Sequence, residues 1–177
     1  VRTPSEFTNN KYAFDDREQA NPWYYEMHEL GLNYRASELN CALGLSQLRK
    51  LDAFINKRKK LVNYYQKNLG ALAPTVFPVK NEFPISAPHL FPVLIDFNTT
   101  EINRAELMVR LLEEGVGTQV HYIPLFLQPY YSDNYNSQDY PGAMKYYEQC
   151  LSLPLFYEMN EKDVERVVST LKKLLTL

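Results

Sequence analysis

The chain of 177 residues reads as an α+β domain in which a small sheet is covered by helices. Three observations predict this. A proline-free stretch from about Ala36 to Leu69 carries Leu39, Leu43, Leu51, Ile55 and Val62 at spacings compatible with a helical stripe. His89 to Phe97 gathers Leu90, Phe91, Val93, Leu94 and Ile95 into a run short enough to be a strand. The last segment repeats Val164, Val167, Val168, Leu171, Leu174 and Leu175 at the period of an amphipathic helix.

Each element has its own local reason. Val1 to about Ala20 is polar and aperiodic, which predicts a lead-in loop. Asn21-Pro22-Trp23-Tyr24-Tyr25-Glu26-Met27 crowds aromatic residues, and Gly31 supplies a turn before Asn33-Tyr34-Arg35. The long helix starts near Ser37, a good N-terminal cap, with Glu38 against the positive end of the helix dipole, and it stops at Gly70. Some 30 residues at a rise of about 1.5 Å each make a rod of roughly 45 Å, longer than a small domain is wide. Lys57-Arg58-Lys59-Lys60 in its middle reads as a solvated face, with an anionic partner as the alternative. Five prolines between Pro74 and Pro92 exclude a helix there and mark a loop followed by extended chain. After the strand, Asn98-Thr99-Thr100 predicts the cap of a helix over about Glu101 to Glu114, ended by Gly115. Gly117 to Ile123 alternates, with Val120 and Tyr122 on one face and Gln119, His121 and Ile123 on the other; this predicts a second strand, closed by Pro124. A tyrosine-rich loop to about Tyr140 leads into a helix from Pro141 to Cys150, where proline is tolerated in the first turn. Asn160, with Asp163 three residues on, caps the terminal helix.

Composition excludes several classes of function. The 19 Lys and Arg against 21 Asp and Glu leave a net charge of -2, which fits neither a nucleic-acid binder nor any other partner of a polyanion. A hydrophobic share of 45% excludes a disordered chain. None of the glycines clusters, so neither a P-loop nor a dinucleotide fingerprint is available. No apolar run approaches the ~20 residues a bilayer requires, so a soluble protein with no membrane partner is expected. Cys41 and Cys150 lack the spacing of a zinc or redox pair and fit core positions in a reducing cytoplasm. His28, His89 and His121 are too scattered to predict a metal site. The serine-hydrolase elbow is missing, and no two carboxylates stand out as a glycosidase pair. Val1 is neither methionine nor the start of a signal peptide, so a preceding segment is expected.

Two segments have the character of a site. Gly31-Leu32-Asn33-Tyr34-Arg35 delivers an amide, a phenol and a guanidinium just ahead of the long helix, where free N–H groups favour an anion such as phosphate. The alternative is a turn asparagine beside a surface arginine. Gln119-Val120-His121-Tyr122-Ile123-Pro124 brings polar side chains to the end of an apolar run, either to meet a ligand or to seat a structural histidine against backbone.

Residues 22–27, 30–45 and 121–131 resemble the sugar aminotransferases of the DegT/DnrJ/EryC1/StrS family, and Leu151-Ser152-Leu153-Pro154-Leu155-Phe156 resembles the family's ending. These motifs follow one another in the family's order. The resemblance implies a pyridoxal-phosphate enzyme of fold type I, the aspartate-aminotransferase fold, acting as a homodimer with its sites at the subunit interface. It would pass an amino group from glutamate to a nucleotide-linked 4-keto-6-deoxy sugar in polysaccharide biosynthesis. The chain would divide into a lead-in from the large domain (1–35), a long interdomain helix (36–70) and a C-terminal small domain with a small antiparallel sheet covered by helices (71–177). By the same resemblance Asn33 reaches the cofactor phosphate of the neighbouring subunit, and Gln119, Val120, His121 and Tyr122 contact the nucleotide sugar. The aromatic cluster at Trp23 would belong to the sugar pocket or the dimer contact.

Transamination also requires a Schiff-base lysine and an acidic partner for the pyridine nitrogen. The resemblance puts both upstream of Asn-Tyr-Arg, and Lys11, set among Asn9, Asn10 and Tyr12, has no such context. No catalytic residue and no covalently held cofactor are therefore expected in this chain, and the isolated chain is expected to be inactive. The competing reading is a noncatalytic module for nucleotide-sugar binding or dimerisation on the same scaffold.

Overall fold

A computed structural model describes residues 3–8, 10–32, 34–79 and 86–176, in two compact units, 1–45 and 46–177. In the first unit a 3-10 turn, Pro4–Glu6, precedes helix α1 (Asn10–Ala13). A single antiparallel bridge then joins Phe14 to Ala20. Asp15 holds the turn between them: its Oδ1 accepts from the Arg17 and Gln19 amides at 2.9 and 2.8 Å. The Glu26 carboxylate accepts from the hydroxyls of Thr8 at 2.7 Å and Tyr24 at 2.9 Å, and from His28 Nε2 at 2.6 Å. The expected lead-in loop is thus pinned by side chains lying on both sides of it in sequence.

The helical stretch expected to be continuous is divided. Helix α2 spans Glu38–Leu48 and helix α3 spans Leu51–Leu69. Between them the Lys50 N–H bonds the Gln47 carbonyl at 3.0 Å, a tightened final turn that ends α2 without glycine or proline. The buried stripe also differs from the expected one. Leu39 and Leu43 on α2 are exposed, whereas α3 buries Leu61, Tyr65 and Leu69, each one turn from the next. Of the basic run, Lys60 is exposed and Lys57, Arg58 and Lys59 are half-buried, with the Arg58 guanidinium 6.0 Å from the Phe54 ring centre.

The second unit is built on a three-stranded antiparallel sheet in the order β1-β2-β3. Strand β1 is Val76–Pro78 and β2 is Phe91–Ile95, with Val76 opposite Ile95. Phe91, Val93 and Ile95 are buried on one face of β2, as its alternation requires. Strand β3, Cys150–Leu153, pairs with β2 so that Phe91 faces Leu153 and Pro92 faces Ser152.

Helix α4 (Arg104–Glu113) begins later than expected, because Asn103 is its cap and accepts from the Glu106 N–H at 3.0 Å; residues 97–99 form a separate 3-10 turn capped by Asp96. The tyrosine-rich loop contains helix α5 (Pro129–Ser132) and leads to α6 (Pro141–Gln149). Helix α6 ends one residue short of the expected Cys150, which instead opens β3. Residues 117–123, expected as a strand, make one isolated bridge, Gln119 to Ser152. Helix α7 (Glu161–Leu174) has the expected cap in full: Asn160 Oδ1 accepts from Lys162 N–H at 2.9 Å, and Asp163 accepts from Asn160 N–H at 2.8 Å. Its Val164, Val167, Val168 and Leu171 join Leu61, Tyr65 and Leu69 of α3, Leu107 and Leu111 of α4 and the sheet in one core.

Candidate functional site

Asn33 lies outside the described residues. Around it, Tyr34 and Arg35 are exposed, and Ser37 Oγ accepts from the Asn40 N–H at 3.3 Å, so the start of α2 carries the expected serine cap. All of residues 34–48 are exposed.

Of the other four predicted residues, Gln119 and His121 meet β3. The Ser152 N–H bonds the Gln119 carbonyl at 2.8 Å and the Gln119 N–H bonds the Ser152 carbonyl at 3.3 Å, so residues 119–121 run beside β3 on the side away from β2. One step on, His121 Nδ1 lies 2.8 Å from Ser152 Oγ. Ser152 is only 6% exposed, so its hydroxyl requires a partner in the protein, and the imidazole supplies one. Tyr146 of α6 donates its hydroxyl to the His121 carbonyl at 3.4 Å, and the Tyr122 ring stands edge-on to the imidazole at 4.7 Å. Burial pushes the Tyr146 phenol and the Cys150 thiol up, keeping both protonated. Gln119 is exposed, its Oε1 accepting from the Val120 N–H at 2.9 Å; Val120 is half-buried and Tyr122 is exposed.

A cleft of about 270 Å³ opens here, and its polar lining comes from His89, Thr118, Gln119, His121 and Ser152. Sequence reasoning missed His89, Ser152 and Tyr146. The available signal was a serine between leucines in Cys150-Leu151-Ser152-Leu153, a polar group on a segment buried throughout. Further along, Phe126 and Tyr140 stack at 4.9 Å beside an apolar cleft of about 240 Å³ that also touches Tyr131 and Tyr135. In the first unit, Trp23 and Tyr25 are exposed at the edge of a cleft of about 550 Å³. Among the described residues no group of three metal-ligating side chains forms, and no helix is long and apolar enough to cross a membrane.

The fold is shared with an aminotransferase. The structure of Helicobacter pylori PseC, an aminotransferase involved in the biosynthesis of pseudoaminic acid, superposes with a TM-score of 0.77 at 24% identity over 94% of this chain and 44% of that one. The chain belongs to the DegT/DnrJ/EryC1/StrS aminotransferase family, whose model matches residues 10–172. A UDP-4-amino-4,6-dideoxy-N-acetyl-beta-L-altrosamine transaminase of Campylobacter jejuni is 37% identical over 154 residues, 86% of this chain and 40% of its own length. The spore coat polysaccharide biosynthesis protein SpsC of Bacillus subtilis is 31% identical over 177 residues, 98% of this chain and 46% of its own length. The chain thus spans less than half of these curated relatives. Aminotransferases of this family use pyridoxal phosphate.

Proposed function

We propose that this chain is the C-terminal part of a pyridoxal-phosphate-dependent aminotransferase that moves an amino group from glutamate to a nucleotide-linked 4-keto-6-deoxy sugar. The observation that supports this is that Gln119 and His121, from the segment expected to meet the substrate, line a cleft beside β3 in a chain whose residues 10–172 match the family. Residues 1–35 act as the lead-in from a large domain, 36–70 as the connection between domains and 71–177 as the small domain. Gln119, Val120, His121 and Tyr122 meet the nucleotide sugar. Asn33 reaches the phosphate of a cofactor held by the other subunit of a homodimer. When bound, the cofactor supplies an electron sink for the carbon that gains or loses nitrogen. This chain's own residues bind and orient the sugar, while the Schiff-base lysine comes from another part of the protein.

The division of labour is tested by incubating the chain with pyridoxal phosphate, reducing with borohydride and mapping pyridoxyl groups by mass spectrometry. No lysine is expected to be labelled stoichiometrically, and added glutamate and UDP-4-keto sugar are expected to yield no amino sugar. A stoichiometric adduct on one lysine overturns it.

A further inference from the structure

The sequence separates His89 from His121, and the sheet reunites them. His89 precedes β2 by two positions, Phe91 pairs with Leu153, and Gln119 bridges to Ser152 on the other side of β3. Both histidines consequently line the same cleft of about 270 Å³, with Thr118 and Gln119 beside them and no carboxylate among the described residues of the lining. The Gln119 Oε1 is occupied by the Val120 N–H at 2.9 Å, which turns the amide NH2 into its free donor. Ser152 Oγ faces His121 Nδ1, and the direction of that hydrogen bond decides which ring nitrogen holds the proton. When its hydroxyl donates to Nδ1 across 2.8 Å, the ring proton sits on Nε2. When the ring is protonated, the serine accepts from Nδ1 and Nε2 keeps its proton. Nε2 is a donor in both states.

The polar part of this lining, imidazoles, a hydroxyl and an amide donor set beside Leu90, Leu153, Pro154 and Leu155, matches a group that has negative charge and only acceptors. We infer that this cleft is a phosphate subsite, in which His89 and His121 both donate to the diphosphate of a nucleotide-linked ligand and Ser152 is the positioning residue for His121. The source of the diphosphate rests on the nucleotide-sugar reading above; the anion chemistry does not.

The test uses the 177-residue chain with 15N-labelled histidine, titrated separately with inorganic diphosphate, UDP and uridine while the ring signals are followed. Diphosphate and UDP are expected to move both rings saturably, and uridine neither. His89→Gln and His121→Gln are each expected to weaken UDP binding about tenfold. Ser152→Ala is expected to weaken it several-fold, with recovery in Ser152→Thr. UDP binding that moves neither ring, or only one, overturns the subsite and leaves the nucleotide-sugar reading standing. If diphosphate moves both rings and UDP binds no tighter than diphosphate, the subsite stands and the nucleotide reading falls. If Ser152→Ala fails to fold, the 15N shifts of the native ring decide: protonation on Nε2 is expected, and an Nδ1-protonated neutral ring overturns the role of Ser152.

Discussion

Tyr65 joins helix α3 to the sheet by packing and by a hydrogen bond. It is fully buried on α3, its ring stacks on Phe91 of β2 with centroids 4.5 Å apart, and its hydroxyl donates to the Pro154 carbonyl at 3.0 Å just beyond β3. It therefore ties the helix to two strands through two different interactions, which two substitutions separate. Tyr65→Phe keeps the stack and removes the hydrogen bond. Pro154 is half-buried, so water can partly serve its carbonyl, and the cost falls near the net value of one hydrogen bond, about 1 kcal/mol. Tyr65→Ala also deletes the ring and leaves a cavity, which for a buried aromatic costs about 3–5 kcal/mol before the lost hydrogen bond is added. Against a total of ~5–15 kcal/mol for a domain, the alanine variant should be at the edge of unfolding and the phenylalanine variant only slightly weakened. Urea denaturation followed by circular dichroism reads both. With a slope of ~1–3 kcal/mol/M, Tyr65→Phe lowers the midpoint by about 0.5 M and leaves the slope unchanged. An alanine variant that loses less than about 2 kcal/mol would refute the view that this ring joins helix and sheet.

Other consequences follow from the caps and thiols. Asn160→Ala removes half of the capping box of α7 and should cost about 1 kcal/mol in the same denaturation assay, with Asp163→Ala costing less once Asn160 is gone. Arg166 donates to the Glu114 and Gly115 carbonyls at 3.2 and 2.9 Å, closing the end of α4 against α7; Arg166→Ala should lower stability by about 1 kcal/mol, and Arg166→Lys should recover little of it. Cys41 is exposed whereas Cys150 is buried with its thiol pushed up by desolvation, so a thiol reagent should modify Cys41 quickly in the native chain and Cys150 only in urea. Equal rates for both thiols would show that β3 is not held in the sheet.

The parts of this structure legible in the sequence were those decided by neighbours in sequence. Helix α7 is one: Asn160, Asp163 and a valine-leucine stripe specify start, face and length together, and the capping box formed as read. Strand β2 is another, since Phe91–Ile95 falls inside the apolar run expected from His89 to Phe97, and its burial alternates. The misreadings arose where tertiary pairing decides. Residues 117–123 alternate like a strand, yet only Gln119 finds a backbone partner. The strand that does form beside them, β3, is buried at all four positions and follows α6 without a break, so neither periodicity nor a turn residue announces it. The α2–α3 interruption at Arg49 and Lys50 likewise has no breaker residue. The site shows the same division. Gln119 and His121, both in the cleft, stood out as polar residues at the end of an apolar run, but His89 and Ser152 enter the cleft only through the β2–β3 register and the Gln119 bridge.

The claim that residues 119–122 meet a nucleotide-linked sugar is most directly tested by calorimetry of the chain with UDP-N-acetylglucosamine, on the native sequence and on His121→Ala. The account predicts saturable heat for the native chain and binding at least about tenfold weaker in the variant, whose circular dichroism stays native. No heat from the native chain, or equal affinity in both, would contradict it.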